Sequence, residues 1–308
     1  MEFVTALQEE SIVDATINDI ITILEIEENA FEPECNTIIK TDTAIALIGS
    51  NQDRIYKGYN WIMVQDGHGG DECIHFLDTL DYPVIMQLDD PAEEIHRLVE
   101  ENSCEYMESG STLCFARVIE ERGCIEIVNV GDSQAEVYID DDLVFRSNPH
   151  TRVGADLEEL ERIKLHEHPL VPSKPGQTLK VLTPTQITYS PNPICVFRNG
   201  KQLVPTMALG HENMTGFKPT KTYIPYTPGQ KVRVCVYTDG VADMKINDSP
   251  EDAHDMQQLS AQQLLEKFVG RWKQNWIYIK DENNMEEAYE THMGGNYDDV
   301  CIGIIEIN

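Results

Sequence analysis

Short apolar runs separated by polar breaks dominate the chain, and their spacing assigns strands to most of it. Trp61 to Val64 is a continuous apolar run and reads as a buried strand; Cys73, Ile74, Leu77 and Leu80 follow at helical spacing. Ala44 to Ile48 reads as a strand before it. Thr112 to Ile119 and Ile125 to Val130, separated by a turn at Glu121 to Gly123, form an antiparallel hairpin, and Ala135 to Ile139 and Leu143 to Phe145 continue the pattern. Lys231 to Thr238 alternates Val232, Val234 and Val236, and Val300 to Ile307 closes the series. Helices are marked by their caps. Asp90 precedes Pro91, with Ile95, Leu98 and Val99 on one face; Asp156 and Glu159 make a capping box before Leu160 and Ile163. Ser260 and Gln263 make another before the stripe Leu264, Leu265, Phe268, Val269, Trp272, which is a core face. Ile12, Val13, Ile17, Ile20, Ile21 and Leu24 fit helical spacing, but their β-branched content leaves a strand open.

One segment breaks this texture. Ten of the fifteen prolines fall between Pro169 and Pro228, so an irregular, loop-rich insertion is expected there. There is no internal repeat and no linker composition. The expectation is an N-terminal segment over 1–43, packed on or extending one domain over 44–308.

Charge changes the picture more than length does. Fifty-four acidic against 23 basic residues give a formal −31, a surface that repels nucleic acid phosphates and attracts cations. The eight cysteines include no Cys-x-x-Cys pair, which argues against a zinc ribbon, and several lie in strand patterns as buried thiols of a reducing compartment. The acidic N-terminus lacks the basic start of a targeting peptide, and no apolar run approaches membrane-spanning length. The expectation is a cytoplasmic monomer without nucleic-acid or membrane partners.

The candidate chemistry lies where strands end in aspartate. Asp66 follows the first buried strand, within Asp66-Gly67-His68-Gly69-Gly70, and His68 is placed to reach the same pocket. Asp53, Asp132, Asp239 and Asp298 stand at comparable strand edges, several beside glycine. The triple Asp140 to Asp142 lies at a hairpin tip and reads as a turn, and the pair His166 and His168 has no cysteine or further histidine at metal spacing nearby. An oxygen-only set selects Mg²⁺ or Mn²⁺ over zinc. Two such ions about 3.5 to 4 Å apart would acidify a bridging water and clamp a phosphoryl oxygen. With no nucleophile elbow and no P-loop, hydrolysis of a phosphate ester is the reaction this inventory fits.

Seven motifs in order carry a resemblance. They are Asn51-Gln52-Asp53, Asp66-Gly67-His68-Gly69-Gly70, Gly110-Ser111-Thr112, Val130-Gly131-Asp132-Ser133, Ala208-Leu209-Gly210, Thr238-Asp239-Gly240-Val241-Ala242-Asp243 and Asn296-Tyr297-Asp298-Asp299. Residues 44 to 308 thereby resemble the metal-dependent protein phosphatase family, protein phosphatase 2C (PPM-type). The resemblance implies an α+β fold, a four-layer αββα sandwich of two antiparallel sheets flanked by helices. It implies a binuclear Mn²⁺ or Mg²⁺ centre acting on phosphoserine and phosphothreonine proteins by direct attack of a metal-activated water. Asp66 would bridge both ions and the Gly67 carbonyl would bind one; Asp239 and Asp298 would complete the other, and Asp53 would act through water. Asp132 and Asp243 match a third, weaker site. His68 matches the general acid that protonates the departing oxygen, and the Pro-rich segment, at about 166–228, matches a variable flap.

Four positions depart from the family pattern. Ile48 stands where an Arg usually grips the substrate phosphate, with Arg54 and Lys57 nearby as substitutes. Gln52 replaces Glu, Gln134 replaces Arg, and His211 replaces Asp after Ala208-Leu209-Gly210. The last two are expected to alter packing rather than chemistry. The missing Arg sustains an alternative, a catalytically weak pseudophosphatase acting as a binding or regulatory module.

Overall fold

The computed structural model describes residues 37–102, 108–168, 176–198, 200–280 and 288–308. The chain divides into the units Met1–Thr37 and Ile38–Asn308. The apolar pattern between Ile12 and Leu24, and most of the expected 1–43 segment, lie outside the described residues. The second unit carries all the elements named below.

Its first strand, β1, runs over Ile39–Ala46, earlier than the apolar run suggests. Only its apolar half was visible in the sequence, because it is a sheet edge where Lys40 and Asp42 face solvent. Next come β2 (Asp53–Lys57) and β3 (Trp61–His68), then α1 (Glu72–Leu77), α2 (Tyr82–Ile85) and α3 (Pro91–Glu101). The Asp90 carboxylate accepts the Glu93 amide at 3.1 Å, the cap the sequence announced. β4 (Gly110–Ser111) and β5 (Leu113–Ile119) are one strand interrupted at Thr112. β6 (Cys124–Val130), β7 (Gln134–Ile139) and β8 (Asp142–Arg146) follow, then α4 (Leu157–His166). Asp140 and Asp141 have φ of 52° and 69°, the turn expected of the triple Asp.

The Pro-rich segment is more regular than expected. It contains the hairpin β9 (Gln177–Thr183) and β10 (Gln186–Pro191), the short pair β11 (Cys195–Val196) and β12 (Gln202–Leu203), β13 (Leu209–Gly210) and β14 (Thr220–Pro225). Pro191 and Pro225 end their strands, where a missing N–H costs no ladder bond. The remaining elements are β15 (Val232–Tyr237), α5 (Asp239–Ala242), α6 (Pro250–Gln258), α7 (Ala261–Lys273), β16 (Trp276–Tyr278), β17 (Tyr289–Thr291) and β18 (Val300–Ile307).

Two antiparallel sheets carry the fold. One has the order β1-β18-β15-β7-β8; in the other, β13-β4-β3-β5-β6-β14 with β2 beside β3. Alternation along the strands explains the layers. Ile62 and Val64 of β3 meet Val232, Val234 and Val236 of β15 between the sheets, while Met63 faces Ile74, Leu77, Ile95 and Val99 of the helices on one outer side. Cys235 and Tyr237 turn to the other side, onto Leu264, Phe268 and Trp272 of α7. Each such fully buried side chain contributes roughly 1.5 to 3 kcal/mol. The result is the helix, sheet, sheet, helix stack. A four-stranded sheet, β17-β16-β10-β9, adds to the α7 side. The six described cysteines are buried free thiols. No helix among the described residues is long and apolar enough to cross a membrane.

Candidate metal centre

Strand pairing brings the acids together at one end of both sheets. β2 and β3 are antiparallel in a register that sets Asp53 opposite Asp66. Asp66 is held through its backbone: its amide donates to Thr112 Oγ1 at 3.0 Å, its carbonyl accepts the Thr112 amide at 2.9 Å, and Thr112 Oγ1 meets Ser133 Oγ at 2.7 Å. Asp132 lies between β6 and β7, just before Ser133. Asp239 opens α5 directly after β15, and the Asp243 amide donates back to its carbonyl at 2.7 Å. Carboxylate oxygens of Asp66, Asp132 and Asp239 lie within 4.8 Å of one another.

The other expected ligands surround this trio without joining it. Asp53 is buried and its Oδ2 accepts the Thr238 hydroxyl at 2.7 Å. Asp298 stands beside Asp239, and its Oδ1 accepts the Asp299 amide at 2.9 Å. Asp243 lines the same cleft. Gly67 pairs with Ser111 in the register of β3 and β4, next to Asp66.

So many acids in one place disturb each other's protonation. Burial first, then the neighbouring carboxylates, push Asp132 up to about 6, Asp239 to about 7 and Asp298 to about 8. Asp53, Asp66 and Asp243 are raised as well, from the same leading cause. Asp239 Oδ1 is buried with no hydrogen-bond partner. An unpartnered carboxylate oxygen beside two others, in an all-oxygen set, fits a hard divalent cation.

Asp66, Asp132, Asp239 and Asp243 form the floor of a cleft of about 550 Å³. Its walls include His68, Lys201, Gln134 and the ends of β9 and β10. Lys201 Nζ donates to the Glu108 carbonyl at 2.6 Å and to the Glu108 carboxylate. His68 is pushed down to about 3 by burial and then by His211 and Lys201, so its neutral form is favoured. Ile48 packs into the apolar layer under α7. Arg54 is engaged by Asp78 at 2.9 and 3.0 Å and by two backbone carbonyls, and Lys57 Nζ donates to the Thr41 carbonyl. Lys201 is the lysine or arginine that lines the cleft among the described residues. Gln52 points elsewhere, onto Asp71 at 2.6 Å.

Two residues carry more than their sequence context suggested. Asp299 is buried and accepts the amides of Gly49 at 2.7 Å and Gln52 at 2.9 Å, with Ser50 Oγ at 3.3 Å, so it pins the loop that delivers Asp53. Its only sequence signal was its place beside Asp298. His211, expected to affect packing alone, contacts His68 directly, Nε2 to Nδ1 at 3.0 Å. Its signal was the departure after Ala208-Leu209-Gly210.

No protein-family model matches this sequence, and the search of curated proteins found no match. Solved structures are similar in fold. A C. elegans sex determining protein is 17% identical at a TM-score of 0.55, with 87% of this chain covered; this chain spans 64% of that protein's length. The catalytic domain of the serine/threonine protein phosphatase PstP, solved with two manganese ions, is 15% identical at 0.52, covering 88% of this chain and 99% of that one. The PPM Ser-Thr phosphatase MsPP from Mycobacterium smegmatis, in complex with cacodylate, is 18% identical at 0.50, covering 86% and 97%. At these identities the likeness speaks for architecture, and in architecture this chain has the fold of the PPM-type serine/threonine phosphatases.

Proposed function

We propose that this chain is a metal-dependent phosphatase that removes phosphate from serine and threonine side chains of proteins. The observation that carries the reading is the convergence of Asp66, Asp132 and Asp239 within 4.8 Å at the floor of a cleft that His68 and Lys201 also line. Asp66, Asp239 and Asp298, with the Gly67 carbonyl and Asp53, would hold a pair of Mn²⁺ or Mg²⁺ ions, and Asp132 with Asp243 a weaker one. Such ions, when bound, supply Lewis acidity toward a phosphoryl group and toward water. The carboxylates themselves would repel a phosphate dianion, so the floor accepts one only when their charge is offset. Lys201 lines the cleft wall, paired with Glu108, and would turn its charge to the phosphate in place of the Arg absent at Ile48. His68, neutral in the metal-free cleft, would take up the proton lost by the attacking water and pass it to the ester oxygen as it departs.

The position of Ile48 favours a second reading. An aliphatic side chain packed into an apolar layer offers the phosphate no donors, which suits a module that binds phosphoproteins and turns them over slowly. Hydrolysis of para-nitrophenyl phosphate separates the two. Turnover that requires Mn²⁺, stops with EDTA and drops by about 10² or more in Asp239→Asn supports the enzyme. Absence of Mn²⁺-dependent turnover leaves the binding module.

A further inference from the structure

His150 is buried and does not line the cleft, although its chain neighbours Pro149 and Thr151 do. Its ring has a partner on each nitrogen. Nδ1 accepts the Gly131 amide at 3.1 Å, and Nε2 meets Thr220 Oγ1 at 2.8 Å. A backbone N–H can only donate, so Nδ1 is the bare nitrogen and the ring proton sits on Nε2, where it donates to the Thr220 hydroxyl. The Glu159 carboxylate, 3.6 Å from Nε2, favours the same placement.

The backbone of His150 grips the same glycine a second time. Its amide donates to the Gly131 carbonyl at 2.8 Å, and Asn129 Nδ2 adds a longer bond at 3.3 Å. Ring and amide of one histidine thus satisfy both the N–H and the C=O of Gly131, which stands directly before Asp132. The φ of Gly131 is 95°, and a Cβ there would lie 2.6 Å from Thr112 Cγ2. The turn is therefore pressed against the threonine whose hydroxyl accepts the Asp66 amide. The Pro-rich segment holds His150 in turn: the Thr206 amide donates to its carbonyl at 2.7 Å, Thr151 pairs with Pro205, and Thr220 accepts from Nε2.

We propose that His150 is a positioning residue of the cation centre. Through Gly131 it sets where the Asp132 carboxylate stands beside Asp66 and Asp239, and it takes its own place from the Pro-rich segment. This rests on the reading of Asp132 as a cation ligand and deepens it. The acidic floor of the cleft and the wall that includes Val204 and Pro205 then share one anchor. His150 acts through Gly131, not by contact with an ion or an ester.

Nitrogen-15 NMR of the metal-free full chain tests the clasp without any turnover. The expected pattern for His150 is a bare Nδ1 and a protonated Nε2, with a Gly131 amide slow to exchange. His150→Phe should speed that exchange about tenfold or more, and His150→Asn, whose amide oxygen stands where Nδ1 does, should restore most of the protection. Thr220→Val, at an exposed position, removes the acceptor of Nε2–H and should speed exchange about threefold or more. A protonated Nδ1 in the wild type overturns the proposal, as does a Gly131 amide equally protected in His150→Phe. Should His150→Phe fail to fold, unchanged Gly131 exchange in Thr220→Val overturns it instead.

Calorimetric titration with Mn²⁺ tests the consequence. His150→Phe should weaken, by about tenfold or more, the same Mn²⁺ step that Asp132→Asn weakens, and His150→Asn should recover most of the loss. The double variant of Asp132→Asn with His150→Phe should bind no worse than Asp132→Asn alone, because one residue acts through the other. Losses that multiply, or a His150→Phe protein that binds as the wild type does while Asp132→Asn is weakened, overturn the proposal. If the wild type binds no Mn²⁺, or Asp132→Asn leaves binding unchanged, the ligand reading of Asp132 falls, and the ring and amide patterns alone decide whether His150 positions the turn.

Discussion

Asp299 shows how much of this centre depends on a residue that is not expected to touch an ion. Its carboxylate satisfies backbone amides of the loop between β1 and β2, and those amides fix where Asp53 stands opposite Asp66. Asp299→Ala leaves buried donors unpaired, at about 1 to 3 kcal/mol each. Urea denaturation should report a loss of that order, and calorimetric titration should show Mn²⁺ affinity reduced about tenfold or more, as for other supporting residues of metal sites. Unchanged affinity would mean that Asp53 is positioned some other way. At this scale the sequence was informative where the signal was local. Asp66 and Asp239 each form an Asp-Gly step after an apolar strand, and both lie in the cluster. The clamp by Asp299 was illegible because its partners lie 247 and 250 residues away. The contact between His211 and His68 was illegible for a similar reason, since 143 residues separate them.

At the level of elements, helix caps and strand alternation were legible because both are written within a few residues. Asp90, Asp156 and Ser260 each accept the amide three residues on, as their spacing predicts. The hairpin of β9 and β10 was hidden by prolines, since composition does not reveal that they fall at strand ends. The placement of α5 rests on a close approach the sequence did not disclose. A Cβ on Gly240 would lie 1.9 Å from the Asp299 carbonyl oxygen, a backbone atom that cannot rotate away. Gly240→Ala should therefore displace α5 or the start of β18, lower stability by about 1 to 3 kcal/mol or more and abolish Mn²⁺ binding. Gly270 is the control: exposed in α7, with open space where a methyl would stand, its change to Ala should raise stability by about 0.5 to 1 kcal/mol. Thermal denaturation of both variants, with Mn²⁺ titrations, checks the pair.

Over the whole molecule, a formal charge of −31 meets a centre that gathers six raised carboxyls. In the metal-free protein the folded state binds more protons than the unfolded one wherever pH lies between the ordinary carboxylate range and these raised values. Their contribution to stability is therefore complete below about pH 4. It is lost as pH rises through about 6 for Asp132, 7 for Asp239 and 8 for Asp298. Denaturation in EDTA should show lower stability at pH 8 than at pH 5, and Asp239→Asn should be more stable than the wild type at pH 8. Saturating Mn²⁺ should reverse that order, because an ion that binds only the folded state stabilises it by mass action. A metal-free chain that gains stability between pH 5 and pH 8 would contradict the cluster.

The Asp299 clamp also bears on how the chain reaches this state. The contacts that complete the acidic centre are among its longest in sequence, and closing so large a loop is entropically costly and slow relative to forming hairpins such as β5 and β6. The β1–β18 pairing that carries Asp299 to this loop spans the same distance in sequence, so a fragment holding only one of the two segments is expected to lack both the sheet edge and the clamp.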